Sequence, residues 1–262
     1  MPMTLFISSL LLLTPGVARA AALAYPSPDS LLQGWKDAIY TEHEASTFKM
    51  KLIEPGGEAV ERQAQVWFKT EGAGRSRLSM RFQEPVAMRG VGFLSLRENS
   101  SVSDQWLYFP AYRKARRLSS RSRDEAFLDS DFNNGDISFD HERSFEFRVT
   151  GTKSWLGQEV YVLEGKSKDQ ADSENPYSRE VLLIRKSDRL NVRTEFYGKE
   201  GSLEKILTVH KWKRYGNRWA ADAVEVENNR THHRTTFEFV ARDTSHPPAD
   251  RIFTLQELER GK

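Results

Sequence analysis

The sequence contains no cysteine. Disulfide scaffolds, thiolate metal sites and cysteine nucleophiles are therefore excluded, and no lipidated cysteine can anchor the chain. Beyond the amino-terminal segment, no stretch approaches the roughly 20 apolar residues needed to span a bilayer. Histidine is scarce, with six in 262 residues. His43, His141, His210 and His246 are scattered, and in a strand the adjacent His232 and His233 would point to opposite faces, which is poor geometry for a shared metal. Local motifs of the H-E-x-x-H or G-x-S-x-G kind do not occur. The chain also lacks a dominant charge: 39 basic residues stand against 37 acidic, for a net +2. Any preference for nucleic acid or anionic lipid must come from local clustering. The absences point away from an enzyme and from a cofactor or metal.

Residues 5–13, LFISSLLLL, form a short apolar core, followed by Pro15, Gly16 and the Ala18-Arg19-Ala20 pattern. This reads as a secretory signal peptide cleaved after Ala20. It leaves residues 21–262 as an exported chain, and no linker or repeat divides it, so one domain is expected. Asp29 or Ser30 can cap a first helix, with Leu31, Leu32, Trp35, Ala38 and Ile39 along one stripe. Thereafter the period is two. Leu78, Met80 and Phe82 alternate with Arg77, Ser79 and Arg81; Phe145, Phe147 and Val149 alternate with Glu146 and Arg148; Phe237 and Phe239 share a face. Weaker candidates lie at 46–53, 62–69, 90–97, 104–109, 158–164, 179–186, 191–197, 203–212 and 219–227. Turn chemistry at 55–57, 199–202 and 215–218 separates them. The pattern predicts a mainly β protein built on a large antiparallel sheet or barrel.

The rhythm breaks at 110–140. DQWLYFPAYRKARRLSSRSRDEAFLDSDFNNGD at 104–136 runs from aromatics to six cations between Arg113 and Arg123, then to five acids from Asp124 to Asp136. The basic run fits a nucleic-acid patch, a membrane foot, a protein-docking surface, or a charged strand edge with internal pairing through Arg121 and Arg123. Export and a near-neutral net charge disfavour nucleic acid. DSDFNNGDISFD at 129–140 resembles a calcium loop, but Asn134 replaces its glycine and Asp140 its glutamate.

DQWLYFPAYRKARRLSS followed by FLDSDFNNGDI resembles the signature of the bacterial periplasmic outer-membrane lipoprotein-sorting protein family, related to the carrier LolA. Asp104, Trp106, Leu107, Tyr108 and Pro110 match the aromatic strand. Arg113, Arg116 and Arg117 match the basic segment, and Ser130, Asp131 and Phe132 the loop after it. The resemblance implies a curved, unclosed antiparallel β-barrel, a half-barrel, with helices covering an apolar cavity. It implies a non-catalytic periplasmic carrier of lipoprotein acyl chains or lipids, in transient contact with membranes and with an inner-membrane RND or MMPL-type transporter as a partner. The alternative is an adaptor subunit of such a transport complex that binds no lipid. Cavity candidates are Leu78, Met80, Phe82, Trp106, Tyr108, Phe145, Phe147, Phe237 and Phe239. Arg113, Lys114, Arg116 and Arg117 form the expected docking rim. Ser130, Asp131 and Phe132 would start a lid whose acids pair with that rim when closed.

Overall fold

The computed structural model describes residues 25–71, 74–98, 103–119, 122, 124–138, 145–168 and 176–261. The signal-peptide segment, Arg121, Arg123 and Asp140 lie outside them. Helix α1 (Pro28–Ile39) opens the fold and is capped by Ser27, whose hydroxyl accepts from the Ser30 amide at 3.2 Å. The cap thus falls ahead of Asp29 and Ser30, because Pro28 has no N–H and suits the first helical position.

The rest is one antiparallel sheet of 13 strands. In chain order they are β1 (His43–Ile53), β2 (Ala59–Glu71), β3 (Arg75–Glu84), β4 (Gly92–Arg97), β5 (Asp104–Phe109), β6 (Lys114–Arg117), β7 (Phe145–Trp155), β8 (Gln158–Ser167), β9 (Tyr177–Arg185), β10 (Asn191–Gly198), β11 (Leu203–Tyr215), β12 (Arg218–Asn228) and β13 (Arg234–Asp243). Their spatial order is β6-β5-β4-β3-β2-β1-β13-β12-β11-β10-β9-β8-β7, so the sheet is not closed and β6 and β7 are its two edges. This is the unclosed half-barrel.

The basic run therefore contains a strand. Lys114–Arg117 turns back along β5 with Tyr108 opposite Ala115 and Phe109 opposite Lys114. Period-two reasoning passes over it because Lys114, Arg116 and Arg117 are exposed. A short, charged edge strand resists pairing with another chain, and the Ala115 amide is further occupied by the Glu259 carboxylate at 2.9 Å.

The order of strands dictates where the next segment goes. The chain leaves one edge at β6 and re-enters at the opposite edge with β7, and between them the described residues 124–138 lie across a face of the sheet. That face, here called inner, also carries α1. The outer face of β3–β6 carries the short C-terminal helix α3 (Leu255–Arg260), with Phe253 and Leu258 packed against Leu94 and Tyr108. Arg81 fastens it, donating to Glu257 O at 3.0 Å and Leu258 O at 2.7 Å. Those carbonyls at a helix end would otherwise lack partners.

Candidate functional site

Residues directly opposite across an antiparallel pair share a face. The register Val66–Met80–Phe93–Leu107 through β2–β5 therefore defines one continuous inner row. A second row runs Val226–Leu207–Thr194–Leu182–Leu163–Val149 through β12 to β7. On the β1–β5 half, Phe48, Met50, Met80, Phe82, Phe93 and Phe237 form the largest apolar cluster among the described residues. On the β7–β9 half, Leu163, Leu182 and Ile184 meet Leu31, Leu32 and Trp35 of α1.

The β1–β5 half is covered by the crossing segment. Phe127 is fully buried and stands edge-on to Phe93 at 5.2 Å. Phe132 stands edge-on to Phe237 at 4.9 Å, and Leu128 and Ile137 pack on the same cluster. Residues 126–138, including the short helix α2 (Asn134–Ser138), thus form a cover whose apolar side chains lie on the inner face. Two successive residues of this cover, Leu128 (φ 49°) and Asp129 (φ 63°), are left-handed without being glycine. Such backbone costs on the order of 1–3 kcal/mol per residue and persists only where the surroundings impose it.

What imposes it is polar. Arg62, buried on β2, donates to the Leu128 carbonyl and lies 3.6 Å from the Asp129 carboxylate. Asp131 accepts at Oδ2 from the Thr235 hydroxyl at 2.7 Å and faces His233 Nδ1 at 2.7 Å. A carboxylate only accepts, so that imidazole nitrogen carries the proton. The Asp131 amide donates to Thr235 Oγ1 at 2.9 Å. Lys205 Nζ reaches Asp136 Oδ2 at 2.5 Å and the Asp131 carbonyl at 3.1 Å. Asn133 donates to the Tyr177 hydroxyl at 3.2 Å. Burial first, and then the charge of Asp136, pushes the Tyr177 pKa well above its ordinary value, so the hydroxyl stays neutral. These polar contacts hold the cover at the sheet end that carries the β10–β11 and β12–β13 turns.

Leu78, Met80, Phe82, Phe237 and Phe239 all lie on the inner face under or beside the covering segment, and Phe145 and Phe147 on the same face at the far edge. Trp106 and Tyr108 do not join them. Alternation turns both to the outer face, against the C-terminal helix, and gives the inner positions to Leu107 and Phe109. Ser130, Asp131 and Phe132 lie in the covering segment, whose acids contact Arg62, His233 and Lys205 rather than the basic run. Arg117 pairs with Asp104. Among the described residues, Arg113, Lys114 and Arg116 have no ion-pair partner and are exposed. Asp129, Asp131 and Asp136 of the calcium-like loop contact Arg62, His233 and Lys205, and no described group of three or more His, Asp or Glu side chains converges as a metal site. Sequence reasoning missed Phe48, Met50 and Leu52, although F-K-M-K-L alternates cleanly. It also missed Arg62, whose role depends on a partner 66 residues away.

A family model with the description "-like: Uncharacterized protein" matches residues 74–260. No curated protein matches the chain in sequence. Among solved structures, a domain described as an outer-membrane lipoprotein-sorting protein from Vibrio parahaemolyticus superposes with a TM-score of 0.81 at 25% identity, covering 88% of this chain and 97% of that one. The chain belongs to the family that this model describes, and it is similar over most of its length to that lipoprotein-sorting domain. A DUF1329 family protein from Desulfovibrio piger shares the LolA-like fold at TM-score 0.81 and 24% identity, with 87% and 96% coverage. A LolA superfamily protein from Nitrosomonas europaea does so at 0.68 and 19%, with 88% and 98% coverage. No described helix is long and apolar enough to cross a membrane.

Proposed function

We propose that this protein is a non-catalytic periplasmic carrier that takes acyl chains, of a lipoprotein or a free lipid, onto its inner face for transfer toward the outer membrane. The observation that carries the reading is the cover. The largest apolar cluster is closed by a latched segment of the connection between the two sheet edges, not by a second layer of sheet. Removing such a cover leaves the sheet intact.

The magnitudes favour a reversible exchange. An acyl chain of about 14 methylenes gains on the order of 11 kcal/mol on leaving water. Displacing Phe127, Phe132 and Ile137 from the same surface forfeits about 5–9 kcal/mol of burial. The surplus is small once the latch and the ordering of the chain are counted. The ligand can enter, and it can also be released to a competing apolar surface. Native mass spectrometry of protein purified without detergent, followed by organic extraction, tests this directly. A bound acyl species that displaces an apolar fluorophore supports the carrier. A protein that neither carries nor accepts any acyl chain is an adaptor instead.

Docking on an anionic membrane surface rests on the rim. Tyr112 and Val86 are 78% and 77% exposed at adjacent turns on one end of the sheet. The turns abut: a Cβ on Gly90 would stand 3.1 Å from Pro110 Cγ. Arg113 and Lys114 lie beside Tyr112, with Arg116 on the following strand. Each cation near an anionic leaflet contributes about 1 kcal/mol. Reversing Arg113, Lys114 and Arg116 to glutamate is expected to weaken binding to phosphatidylglycerol-containing vesicles by about a hundredfold or more at low salt. Unchanged sedimentation with vesicles would remove the rim from the mechanism.

A further inference from the structure

At the sheet end opposite the latch, α1 covers a second feature of the inner face that the lid does not touch. The turn between β9 and β10 brings Arg189 under the helix. A Cβ on Gly34 would stand 3.2 Å from Arg189 Cγ, so the absence of a side chain at Gly34 lets the arginine stem run against the helix backbone. Arg189 itself has φ 64°, a left-handed conformation that glycine or asparagine would adopt more readily. Its guanidinium lies over the Tyr161 ring, 5.2 Å from the centroid. Tyr161 packs against the same cluster as Trp35, the residue after Gly34.

Two donors there are shielded from solvent without an acceptor: Arg189 Nη1 and Trp35 Nε1. Buried donors normally find a partner, and those that do not call for an explanation. Nearby carboxylates do not provide one, since each is already engaged. Asp188 is held by Arg185 at 2.7 Å, Glu159 by Lys186 at 3.3 Å, and Asp37 accepts from Gln33 at 2.8 Å. Lys186 Nζ lies 5.4 Å from the Tyr161 centroid, adding a second cation to this ring. The local arrangement sets these two N–H groups, one of them on a guanidinium with no carboxylate partner among the described residues, beside the apolar row of Leu163, Leu182 and Ile184.

We propose that Arg189 and Trp35 form a subsite for an anionic oxygen group, a phosphate or carboxylate, between α1 and the β9–β10 turn. The guanidinium supplies charge and a planar fork that matches either group. The indole supplies one oriented N–H. The adjacent apolar row makes an amphiphile's headgroup the source that fits best, and in that form the inference rests on the carrier reading. A free anion is the other source of the same chemistry.

Monododecyl phosphate, uncharged monolaurin and inorganic phosphate separate these cases in calorimetric titrations of the wild type, Arg189→Gln and Trp35→Phe. The expected result is that the wild type binds dodecyl phosphate about tenfold or more tightly than monolaurin. Arg189→Gln abolishes that preference and Trp35→Phe reduces it. Unchanged far-ultraviolet circular dichroism and melting temperature show that both variants fold. Equal affinity for the two amphiphiles in the wild type, or a preference that survives Arg189→Gln, overturns the subsite. If inorganic phosphate binds in an Arg189-dependent way while neither amphiphile binds, the subsite stands as a free-anion site and the carrier reading falls. If none of the three binds, both fall.

Discussion

Replacing Phe127 with alanine is expected to raise the affinity for an apolar fluorophore by about a hundredfold to a few thousandfold, while destabilising the closed lid by about 3–5 kcal/mol. Phe127 is fully buried, yet it does not belong to the sheet; it comes from the crossing segment and fills the space against Phe93. Truncating an ordinary core phenylalanine lowers stability and yields no binding site of use to a long ligand. Truncating a lid phenylalanine shifts a closed-to-open equilibrium, and any ligand that prefers the open state gains by the same amount. Phe48→Ala is the control. It sits on β1 within the same cluster, so its loss is expected to lower the melting temperature of the whole sheet. Hydrogen exchange across 126–138 should quicken in Phe127→Ala and leave β1–β3 protected. Probe affinity that stays at the wild-type value, with global stability lost instead, would show that residues 126–138 are part of the core and not a lid.

The second large effect is in the latch. Lys205 and Asp136 form an ion pair whose side chains are 8% and 10% exposed. Breaking such a pair from one side leaves a buried charge and typically costs 3–5 kcal/mol, far more than the pair itself contributes. Lys205→Met is therefore expected to cost about 3–5 kcal/mol by denaturant unfolding, and adding Asp136→Asn to recover at least about 1 kcal/mol of it. Strict additivity of the two substitutions would mean that the contact carries no coupling. Lid release should accompany the single variant, because Lys205 also holds the Asp131 carbonyl.

Much of this molecule is legible from its residues, and the illegible parts share a cause. Leu78, Met80 and Phe82 declare a strand with one apolar face, and so do Phe145 and Phe147, because a strand's period is short and its partners are equivalent along the row. The same rule misassigned Trp106 and Tyr108. Large aromatics on an alternating strand give the period but not the phase, and here a C-terminal helix takes the outer side and needs Tyr108 there. Strand β6 escaped notice because all three of its charged residues face water, leaving no alternation to read. The interrupted rhythm singled out the segment that covers the inner face, but its acids were paired with the wrong partners. Sequence order sets Arg113–Arg117 beside Asp129–Asp131; the fold brings Arg62, Lys205 and His233 there instead.

The sequence by itself determined what is local: the absence of thiol chemistry, period-two segments, their turns, and the signature from Asp104 to Asp136 that carries the resemblance. The tertiary structure alone decided what depends on which edge meets which. Because β6 and β7 end opposite sides of an open sheet, their connection has to cross a face, and crossing places Phe127 and Phe132 on the apolar surface. That placement follows from strand order, a long-range property that no residue encodes in its neighbours.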